Sequence, residues 1–457
     1  MAPKFGTSGL RGLVTELTAD LVADHVRAFL RARPTGGAVF VGRDLRASSP
    51  DLAAVVVATA RDEGLDVTDC GALPTPALAM AAMAAGAAAV MVTGSHIPAD
   101  RNGLKFYTPA GEITKDDEAA ILAGLGAAPA GRAGGWSDGA AAAPAFAARY
   151  LRAYGGALAG LRIGVWQHSS VARDLLMQVL ADCGAVPVAL GRSDSFVPVD
   201  TEAVEAPWRE AFRAWVAAQG LDALISTDGD ADRPMMADET GRLVPGDVLG
   251  ALTAQALRAE VVATTVSANT CVDLMGGFSV RRTKIGSPYV IAAMEEAAGA
   301  RVVGYEPNGG FLLGFAAQGP TGPLAPLMTR DCLLPLLAPL AAARARGLSL
   351  SGLVATLPAR FTATLRLQGV EPAVSAAFLS RVEADPAALM AAAGLAPVVS
   401  VGRTDGWRAH LEGGEVLHLR PSGNAPEFRV YAEADSAGRA DEIGQTALAA
   451  VAAALRA

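Results

Sequence analysis

Short apolar runs alternate with helical patterns along most of the 457-residue chain. Residues 38–42 (AVFVG) form the first run, and apolar positions with helical spacing follow over 49–63. The next run is 65–69, and residues 87–92 lead into a polar loop that begins at Thr93. Buried strands that alternate with helices predict a mostly parallel sheet with helices on both faces.

The pattern restarts after a turn-rich break at 131–139. A second block begins with the run 161–166, and its strand 221–226 ends at another polar loop. A third α/β block starts near Val248, whereas segments such as 361–367 alternate like strands of a half-exposed antiparallel sheet. We therefore predict an α/β protein with three similar mixed-sheet α/β domains and a smaller α+β C-terminal domain. The predicted domains are 1–150, 151–247, 248–358 and 359–457.

Length, composition and charge narrow the class of protein. The chain is longer than one hydrophobic core usually serves, and it lacks the roughly 20 uncharged apolar residues of a membrane span. Its start, MAPKFGTSGLRG, has no apolar signal region, and its four cysteines form no CxxC pair. A net charge of −8 argues against nucleic acid as a partner. We expect a cytoplasmic protein, without membrane or nucleic-acid partners, that is a monomer or a homodimer.

Two polar loops after apolar runs contain candidate catalytic and metal-binding residues. Ser95, in TGSHIP, is a candidate nucleophile with Lys105 nearby, although a capping serine in a strand-to-helix turn is an alternative. The second loop, 228–233 (DGDADR), has aspartates at every second position. It begins like a Ca²⁺ loop but has Arg233 where glycine is required, so a compact oxygen cage for a hard divalent cation fits better. An acidic surface turn is the alternative.

Two further loops carry polar residues suited to a phosphorylated sugar. Glu306 and Asn308, in GYEPNGG, offer a carboxylate and an amide to sugar hydroxyls, although such a segment can also be an ordinary turn. The segment 420–426 (RPSGNAP), with Arg429 soon after, combines guanidiniums, a serine and exposed backbone N–H groups. That combination is typical of a phosphate site, whereas a tight turn is the alternative. Open α/β sheets bind ligands at such strand ends.

Together with residues 5–12 (FGTSGLRG), these loops resemble the motifs of the α-D-phosphohexomutase superfamily, in the expected order over nearly the whole chain. The segments GSHIPADRNGLKFY, GYEPNGGF and RPSGNAPEFRVYAEA look most like those of bacterial phosphomannomutases. The resemblance implies four domains around a central cleft. It also implies interconversion of mannose 6-phosphate and mannose 1-phosphate through a phosphoserine and a hexose 1,6-bisphosphate. Phosphoglucomutase or dual-specificity activity, and a Mg²⁺-dependent sugar phosphatase, are the alternatives.

The resemblance also implies residue roles and ligands. Ser95 would carry the phosphoryl group and, with the three aspartates, hold Mg²⁺. Arg11, Lys105 and Arg233 would face the transferring group, while Glu306 and Asn308 would bind the sugar. A hexose phosphate is the expected partner, and a hexose 1,6-bisphosphate the expected activator. The aspartates are Asp228, Asp230 and Asp232, and the residues that would anchor the other phosphate are Arg420, Ser422, Gly423, Asn424 and Arg429.

The chain departs from the family pattern at three positions, the first being Ile97, because better-known members have SHNP where this chain has Ser95-His96-Ile97-Pro98. Some members carry histidines where this chain has Ser287 and Gly310. The acid/base assignment therefore moves to Lys105, with His96 as the second candidate. Arg330, in Thr329-Arg330-Asp331, is expected to start a helix and to pair locally.

Overall fold

The computed structural model describes residues 3–6, 9–422 and 427–456. Their strands form four main sheets that follow one another along the chain, and a two-stranded ribbon. Three sheets mix parallel and antiparallel pairs and pack against helices, and the fourth is antiparallel throughout. The predicted fold class, with three similar α/β domains and an α+β C-terminal domain, is confirmed.

The first sheet has the order β1-β2-β6-β5-β3-β4-β8, with β7 paired to β6. Strands β3, β4, β5 and β8 run parallel, and β6 is antiparallel to β5. The Thr18 hydroxyl accepts a hydrogen bond from Leu21 N–H at the start of α1, and Thr114 and Asp117 form a capping box on α4. The elements are β1 Lys4–Phe5, β2 Leu10–Leu13, α1 Ala19–Ala32, β3 Ala38–Arg43, α2 Ser49–Asp62, β4 Asp66–Ala72, α3 Thr75–Ala84, β5 Ala88–Val92, β6 Arg101–Thr108, β7 Gly111–Glu112, α4 Lys115–Ala123, β8 Trp136–Asp138 and α5 Ala142–Tyr154.

The second and third sheets repeat this plan with fewer strands. Their orders are β10-β9-β11-β12-β13 and β15-β14-β16-β17-β20, and β18 pairs with β19. Gly220 ends α7 in the left-handed conformation, which suits glycine. The elements are β9 Arg162–Trp166, α6 Arg173–Asp182, β10 Val186–Leu190, α7 Ala206–Gln219, β11 Ala223–Thr227, β12 Pro234–Ala237, β13 Leu243–Val244, α8 Gly246–Ala256, β14 Val261–Thr265, α9 Cys271–Leu274, β15 Ser279–Thr283, α10 Ser287–Glu295, β16 Val302–Tyr305, β17 Phe311–Leu313, β18 Ala317–Gln318, β19 Pro323–Leu324, β20 Leu327–Asp331, α11 Leu333–Ala345 and α12 Leu350–Val354.

The fourth sheet is antiparallel, with the order β21-β25-β24-β23-β22, and helices α13, α14 and α15 complete this domain. Strand β23 alternates buried and half-buried positions, as predicted for a sheet with one covered face, whereas the first four residues of β24 are all buried. The elements are β21 Phe361–Gln368, α13 Pro372–Ala384, α14 Pro386–Ala393, β22 Val398–Gly402, β23 Trp407–Leu411, β24 Val416–Pro421, β25 Glu427–Ala434 and α15 Ala437–Arg456.

One strand-loop-strand unit recurs in the first three sheets. A fully buried parallel strand ends in a polar loop, and the chain returns as an antiparallel neighbour. The three pairs are β5 and β6, β11 and β12, and β16 and β17. The polar loops that the sequence singled out at Ser95, Asp228 and Glu306 occupy this same topological place. The fold therefore positions each of them by the same device.

Buried apolar residues form one large core that runs through the first three domains. It contains residues from Cys70 to Leu353, including the helix α5 that connects the first domain to the second. Smaller clusters cover the opposite faces of the three mixed sheets. The C-terminal domain has a cluster of its own, which runs from Ala363 to Val451. Among the described residues, no helix is both long and apolar enough to cross a membrane.

Candidate active site

Ser95 lies in the loop between β5 and β6, buried and in a left-handed backbone conformation with φ 53°. Its hydroxyl donates to Asp228 Oδ2 at 2.6 Å, and Oγ lies 3.3 Å from His96 Nδ1. The Ser95 N–H donates to the Thr93 hydroxyl at 2.8 Å. A non-glycine residue in this region of backbone space costs about 1–3 kcal/mol, so the surrounding contacts hold the serine in place.

A buried ion pair after β3 supports the Ser95 loop. Arg46 Nε lies 3.1 Å from Asp44 Oδ2, which also accepts the Thr93 hydroxyl. The Arg46 guanidinium is 4.0 Å from the ring centre of Phe196 in the second domain. A Cβ atom at Gly94 would lie 2.7 Å from Arg46 Cζ, so glycine is required for this close approach. Arg46 also donates to four carbonyl oxygens of the loop at 2.6–3.0 Å, those of Ser95, Ile97, Pro98 and Arg101.

The three aspartates lie in the loop between β11 and β12, and one carboxylate oxygen of each is within 4.8 Å of the others. All three are buried. Ala231, between two of them, has φ 59°, which turns the backbone tightly and allows alternate carboxylates to converge. These residues are Asp228, Asp230 and Asp232. The sequence-based prediction that they form one cluster therefore agrees with their positions.

Lys105 crosses from β6 to this cluster. Its Nζ donates to Asp230 Oδ2 and to Asp232 Oδ2, both at 2.6 Å. The Oδ1 atoms of the same two aspartates are buried and have no hydrogen-bond partner among the described residues. A hard divalent cation prefers carboxylate oxygens, and two unpartnered ones beside Asp228 fit that requirement. Asp228, Asp230 and Asp232 would hold Mg²⁺, which supplies positive charge beside a phosphoryl group when bound.

Burial and mutual repulsion raise the pKa of Asp228 well above its ordinary value. Asp232 differs, because burial favours its neutral form but nearby cations outweigh that effect and lower its pKa. Those cations are Arg330, Lys105 and Arg233. A bound cation requires the ionised carboxylates, so occupancy of this cluster would itself favour their deprotonation.

Three other candidates, His96, Arg11 and Arg233, line the cleft beside Ser95. Burial, together with the charges of Arg233 and Arg11, lowers the pKa of His96 below its ordinary value, so its ring is neutral at physiological pH. Arg11, on β2, has a pKa lowered to about 10 by burial and by Arg233, and it remains charged. Arg233 Nε lies 4.0 Å from Asp228 Oδ2 and 3.9 Å from Asp232 Oδ1.

The loop between β16 and β17 brings Glu306 and Asn308 to the same cleft, whose volume is about 480 Å³. Both side chains are buried, and Asn308 Nδ2 lies 3.4 Å from Glu306 Oε2. Burial raises the pKa of Glu306, although Arg330 and Arg233 oppose the rise. The Thr201 hydroxyl donates to the Asn308 carbonyl at 3.2 Å and thereby ties the loop to the second domain.

Arg330 contradicts the sequence-based expectation. It lies on β20 rather than at a helix start, it is buried, and it lines the cleft. Its partners are distant in the chain: Nη2 is 2.9 Å from Asp232 Oδ2, Nε is 3.5 Å from Glu112 Oε1, and Nη1 is 3.8 Å from Glu306 Oε2. The carboxylates that pair with Arg330 come from three different domains, so its neighbours Thr329 and Asp331 gave no sign of these partners.

The predicted phosphate anchors lie on two neighbouring strands of the C-terminal domain. Arg420 on β24 is directly opposite Arg429 on β25, and Arg429 lines the cleft. Arg420 Nε lies 3.0 Å from Asp405 Oδ1. The Ser422 N–H donates to the Glu427 carbonyl at 2.8 Å. Gly423 and Asn424 lie outside the described residues, and the anchoring role of the whole group stays a prediction.

Comparisons with known proteins agree with this architecture. Four segments match the phosphoglucomutase/phosphomannomutase alpha/beta/alpha domains I, II and III and the C-terminal domain of that family, over residues 2–129, 149–241, 245–361 and 379–450. A phosphomannomutase of Sinorhizobium fredii is 44% identical over 97% of both chains. The chain belongs to the phosphoglucomutase/phosphomannomutase family.

Other relatives support the same membership of the phosphoglucomutase/phosphomannomutase family. A phosphomannomutase of Salmonella muenchen is 42% identical over 97% of this chain and 94% of its own. A crystal structure of a phosphoglucomutase/phosphomannomutase family protein from Burkholderia thailandensis superposes with a TM-score of 0.78. It is 21% identical and covers 98% of this chain and 97% of its own, so it supports the fold. The chain is a member of the α-D-phosphohexomutases, and its enzyme class is a mutase, an isomerase.

Proposed function

We propose that the protein is a phosphomannomutase, which interconverts mannose 6-phosphate and mannose 1-phosphate through a phosphoserine at Ser95. The observation that carries the proposal is the 2.6 Å hydrogen bond from the Ser95 hydroxyl to Asp228 Oδ2. This hydrogen bond joins a candidate nucleophile of the first domain to the three aspartates of the second, Asp228, Asp230 and Asp232, here called the metal-ligand cluster. The two phosphomannomutases at 42–44% identity support mannose as the sugar.

In the proposed reaction, phosphoserine 95 donates its phosphoryl group to a hydroxyl of the sugar phosphate. The bond from phosphorus to Ser95 Oγ breaks and a bond from phosphorus to the sugar oxygen forms. The hydroxyl proton leaves the sugar oxygen, and the Ser95 oxygen gains a proton. The product is a hexose 1,6-bisphosphate, which turns over in the cleft and returns its other phosphate to Ser95. This requirement also explains why a hexose 1,6-bisphosphate would activate the enzyme by phosphorylating Ser95.

The charges around Ser95 suit phosphoryl transfer, which depends on positioning and charge neutralisation more than on covalent catalysis. Arg11 and Arg233 line the cleft, and Lys105 contacts the carboxylates beside the serine. Lys105 and His96 are the candidates for proton transfer. Neutral His96 has Nδ1 3.3 Å from Ser95 Oγ, so its position suits proton transfer, whereas its lowered pKa makes the ring a weak base.

The remaining predicted residues bind the substrate away from the reacting bond. Glu306 and Asn308 would hold sugar hydroxyls, because both line the cleft on a loop fixed by neighbouring domains. Arg420, Ser422, Gly423, Asn424 and Arg429 would anchor the phosphate that does not react. A guanidinium pair on adjacent strands can bind a phosphate through several charged hydrogen bonds.

The test combines mass spectrometry with turnover. Treatment with mannose 1,6-bisphosphate should add one phosphate to Ser95, and coupled assays should show isomerisation of mannose phosphates with Mg²⁺ present. Ser95→Ala should lose at least about 1,000-fold in kcat, because no covalent intermediate forms. Lys105→Ala and His96→Gln, assayed in parallel over a range of pH, separate the two candidates for proton transfer.

Three results would contradict parts of the proposal. Parental turnover by Ser95→Ala would refute the phosphoserine mechanism. Equal or faster turnover of glucose phosphates would establish phosphoglucomutase or dual-specificity activity instead. Steady release of inorganic phosphate without isomer formation would identify a sugar phosphatase.

A further inference from the structure

Arg330 has more partners in the cleft than the proposed mechanism uses. Its guanidinium lies among three buried carboxylates, one from each of the first three domains: Glu112, Asp232 and Glu306. Yet Nε and Nη2 make no hydrogen bond of good geometry with any described residue. A buried guanidinium with two unsatisfied donors is costly unless something else accepts its hydrogen bonds. Because Arg330 lines the cleft, a bound substrate is the natural acceptor.

The position of Arg330 indicates which part of a bound substrate it would contact. Arg330 Nη2 lies 2.9 Å from Asp232 Oδ2 of the metal-ligand cluster. Arg330 Nη1 lies 3.8 Å from Glu306 Oε2 in the loop between β16 and β17, here called the sugar loop. In the proposed function, the transferring phosphoryl group binds beside the metal-ligand cluster, and the sugar hydroxyls bind beside Glu306. The atom between these two groups is the oxygen that links the sugar carbon to the phosphorus.

The sugar loop has a glycine, Gly310, at the point where the Arg330 side chain packs against it. Gly310 has no side chain, and a Cβ atom there would lie 3.0 Å from both Cγ and Cδ of Arg330 and 3.0 Å from the Asp232 carbonyl oxygen. Such distances are tighter than ordinary van der Waals contact. The arginine therefore packs directly on the loop backbone, and it is the side chain that the protein presents to the cleft at this point.

We propose that Arg330 contacts the substrate at the oxygen that bridges the sugar and the transferring phosphoryl group. This inference rests on the proposed function. A fixed cation there stabilises the sugar oxygen as its proton leaves during attack, and it stabilises the same oxygen as the leaving group in the reverse transfer. Arg330 itself neither gains nor loses a proton.

Arg330 remains positively charged in the folded protein. Burial disfavours the guanidinium cation, but Asp232, Glu112 and Glu306 outweigh burial and raise the pKa of Arg330 well above its ordinary value. It therefore acts by charge and hydrogen bonding, and the proton must be handled by another group. A lysine keeps the charge but cannot reproduce the planar fork that reaches Asp232 and the substrate together.

The experiment compares Arg330→Met and Arg330→Lys with the parent in isomerisation assays below their melting temperatures. Arg330→Met should lose about 100-fold or more in kcat with a smaller change in KM, as expected when a donor to a developing charge is removed. Added guanidinium should restore at least about tenfold of that loss. Arg330→Lys should retain more activity than Arg330→Met but should respond less to guanidinium.

Arg149→Lys is the matched control. Arg149 is also buried, but it donates to the Ala325 carbonyl outside the cleft, so its variant should keep the parental kcat even where stability falls. If Arg330→Met fails to fold, the test rests on the kcat of Arg330→Lys. A parental kcat in Arg330→Lys would then overturn the inference. Lost stability with parental kcat, or lost kcat without guanidinium rescue in a folded Arg330→Met, also overturns it. Absence of isomerisation in the parent would instead refute the proposed function.

Discussion

At the scale of single residues, two left-handed backbone positions organise the centre of the site. Ser95 and Ala231 both have positive φ, and they lie in the two loops that meet at the Ser95–Asp228 hydrogen bond. Neither is a glycine, so the surrounding structure must enforce both conformations. The hydroxyl and the carboxylates are therefore held in position before a substrate arrives.

His168 supplies a prediction about stability and pH. It is buried, its Nε2–H donates to the Thr227 carbonyl at 2.8 Å, and Arg173 is the charged group nearby. Burial lowers its pKa to about 4, with a further lowering by Arg173 that the Thr227 hydrogen bond opposes. Because the folded pKa lies below the unfolded value, the unfolded state binds the proton first, and stability is lost as pH falls from about 6.5 towards 4.

His168→Gln keeps a donor to Thr227 but removes this titration. The stability advantage of the parent over the variant should shrink by about 2 kcal/mol between pH 7.5 and pH 5. Denaturant unfolding at both pH values measures the difference. A constant advantage across this range would show that His168 titrates alike in the folded and unfolded states.

At the scale of elements, much of the architecture could be predicted from the pattern of apolar residues. The runs 161–166 and 221–226 correspond to β9 (Arg162–Trp166) and β11 (Ala223–Thr227). Fully buried parallel strands are continuous apolar segments, and the polar loops that follow them are easily seen. The positions of Ser95 and the three aspartates at such strand ends followed from the same pattern.

The supporting residues could not be predicted in this way. Arg46 and the loop that it holds are about fifty residues apart in the chain, and Arg330 pairs with carboxylates of three domains. A charged residue near a strand end gives no local sign of such partners. The segment Gly42-Arg43-Asp44-Leu45-Arg46 did place an acid and a base directly after a buried strand, which is the one signal that could have indicated Arg46.

Arg46→Lys tests the support of the Ser95 loop. Lysine keeps the charge beside Asp44 but cannot donate to four carbonyl oxygens, so the loop should lose its fixed shape. We expect the free energy of unfolding to fall by about 3 kcal/mol, because buried carbonyl oxygens of the loop lose their charged hydrogen bonds. We also expect phosphorylation of Ser95 by a hexose 1,6-bisphosphate to slow by at least about tenfold.

Arg149→Lys again serves as the control, because it perturbs a buried arginine that does not touch this loop. Time-resolved intact mass measures the phosphorylation rate, and denaturant unfolding measures stability. If Arg46→Lys lost stability but phosphorylated Ser95 at the parental rate, Arg46 would have only a structural role.

At the scale of the whole molecule, the C-terminal domain stands apart from the other three. Its apolar cluster is separate from the large core, and hydrogen bonds join it to the third domain. Thr270 N–H donates to the Glu433 carboxylate, and Ile285 N–H donates to the Asp405 carboxylate. An interface of this kind allows relative motion of domains more readily than a shared apolar core does.

This separation predicts two unfolding transitions. Calorimetry of the full chain should resolve a C-terminal transition from that of the first three domains, and the fragment 359–457, at the proposed boundary, should fold alone. A fragment of this size can form an independent core. One cooperative transition together with an unfolded fragment would contradict the prediction.

The separate core also has a consequence for how such enzymes diversify. The part of the site proposed to grip the distant phosphate is carried by a body that shares few apolar contacts with the nucleophile and the aspartates. Substitutions can accumulate there without disturbing the reacting centre. Exchange of this domain between relatives would therefore change how the non-reacting phosphate is held, while the sugar-binding residues and the reacting centre are left intact.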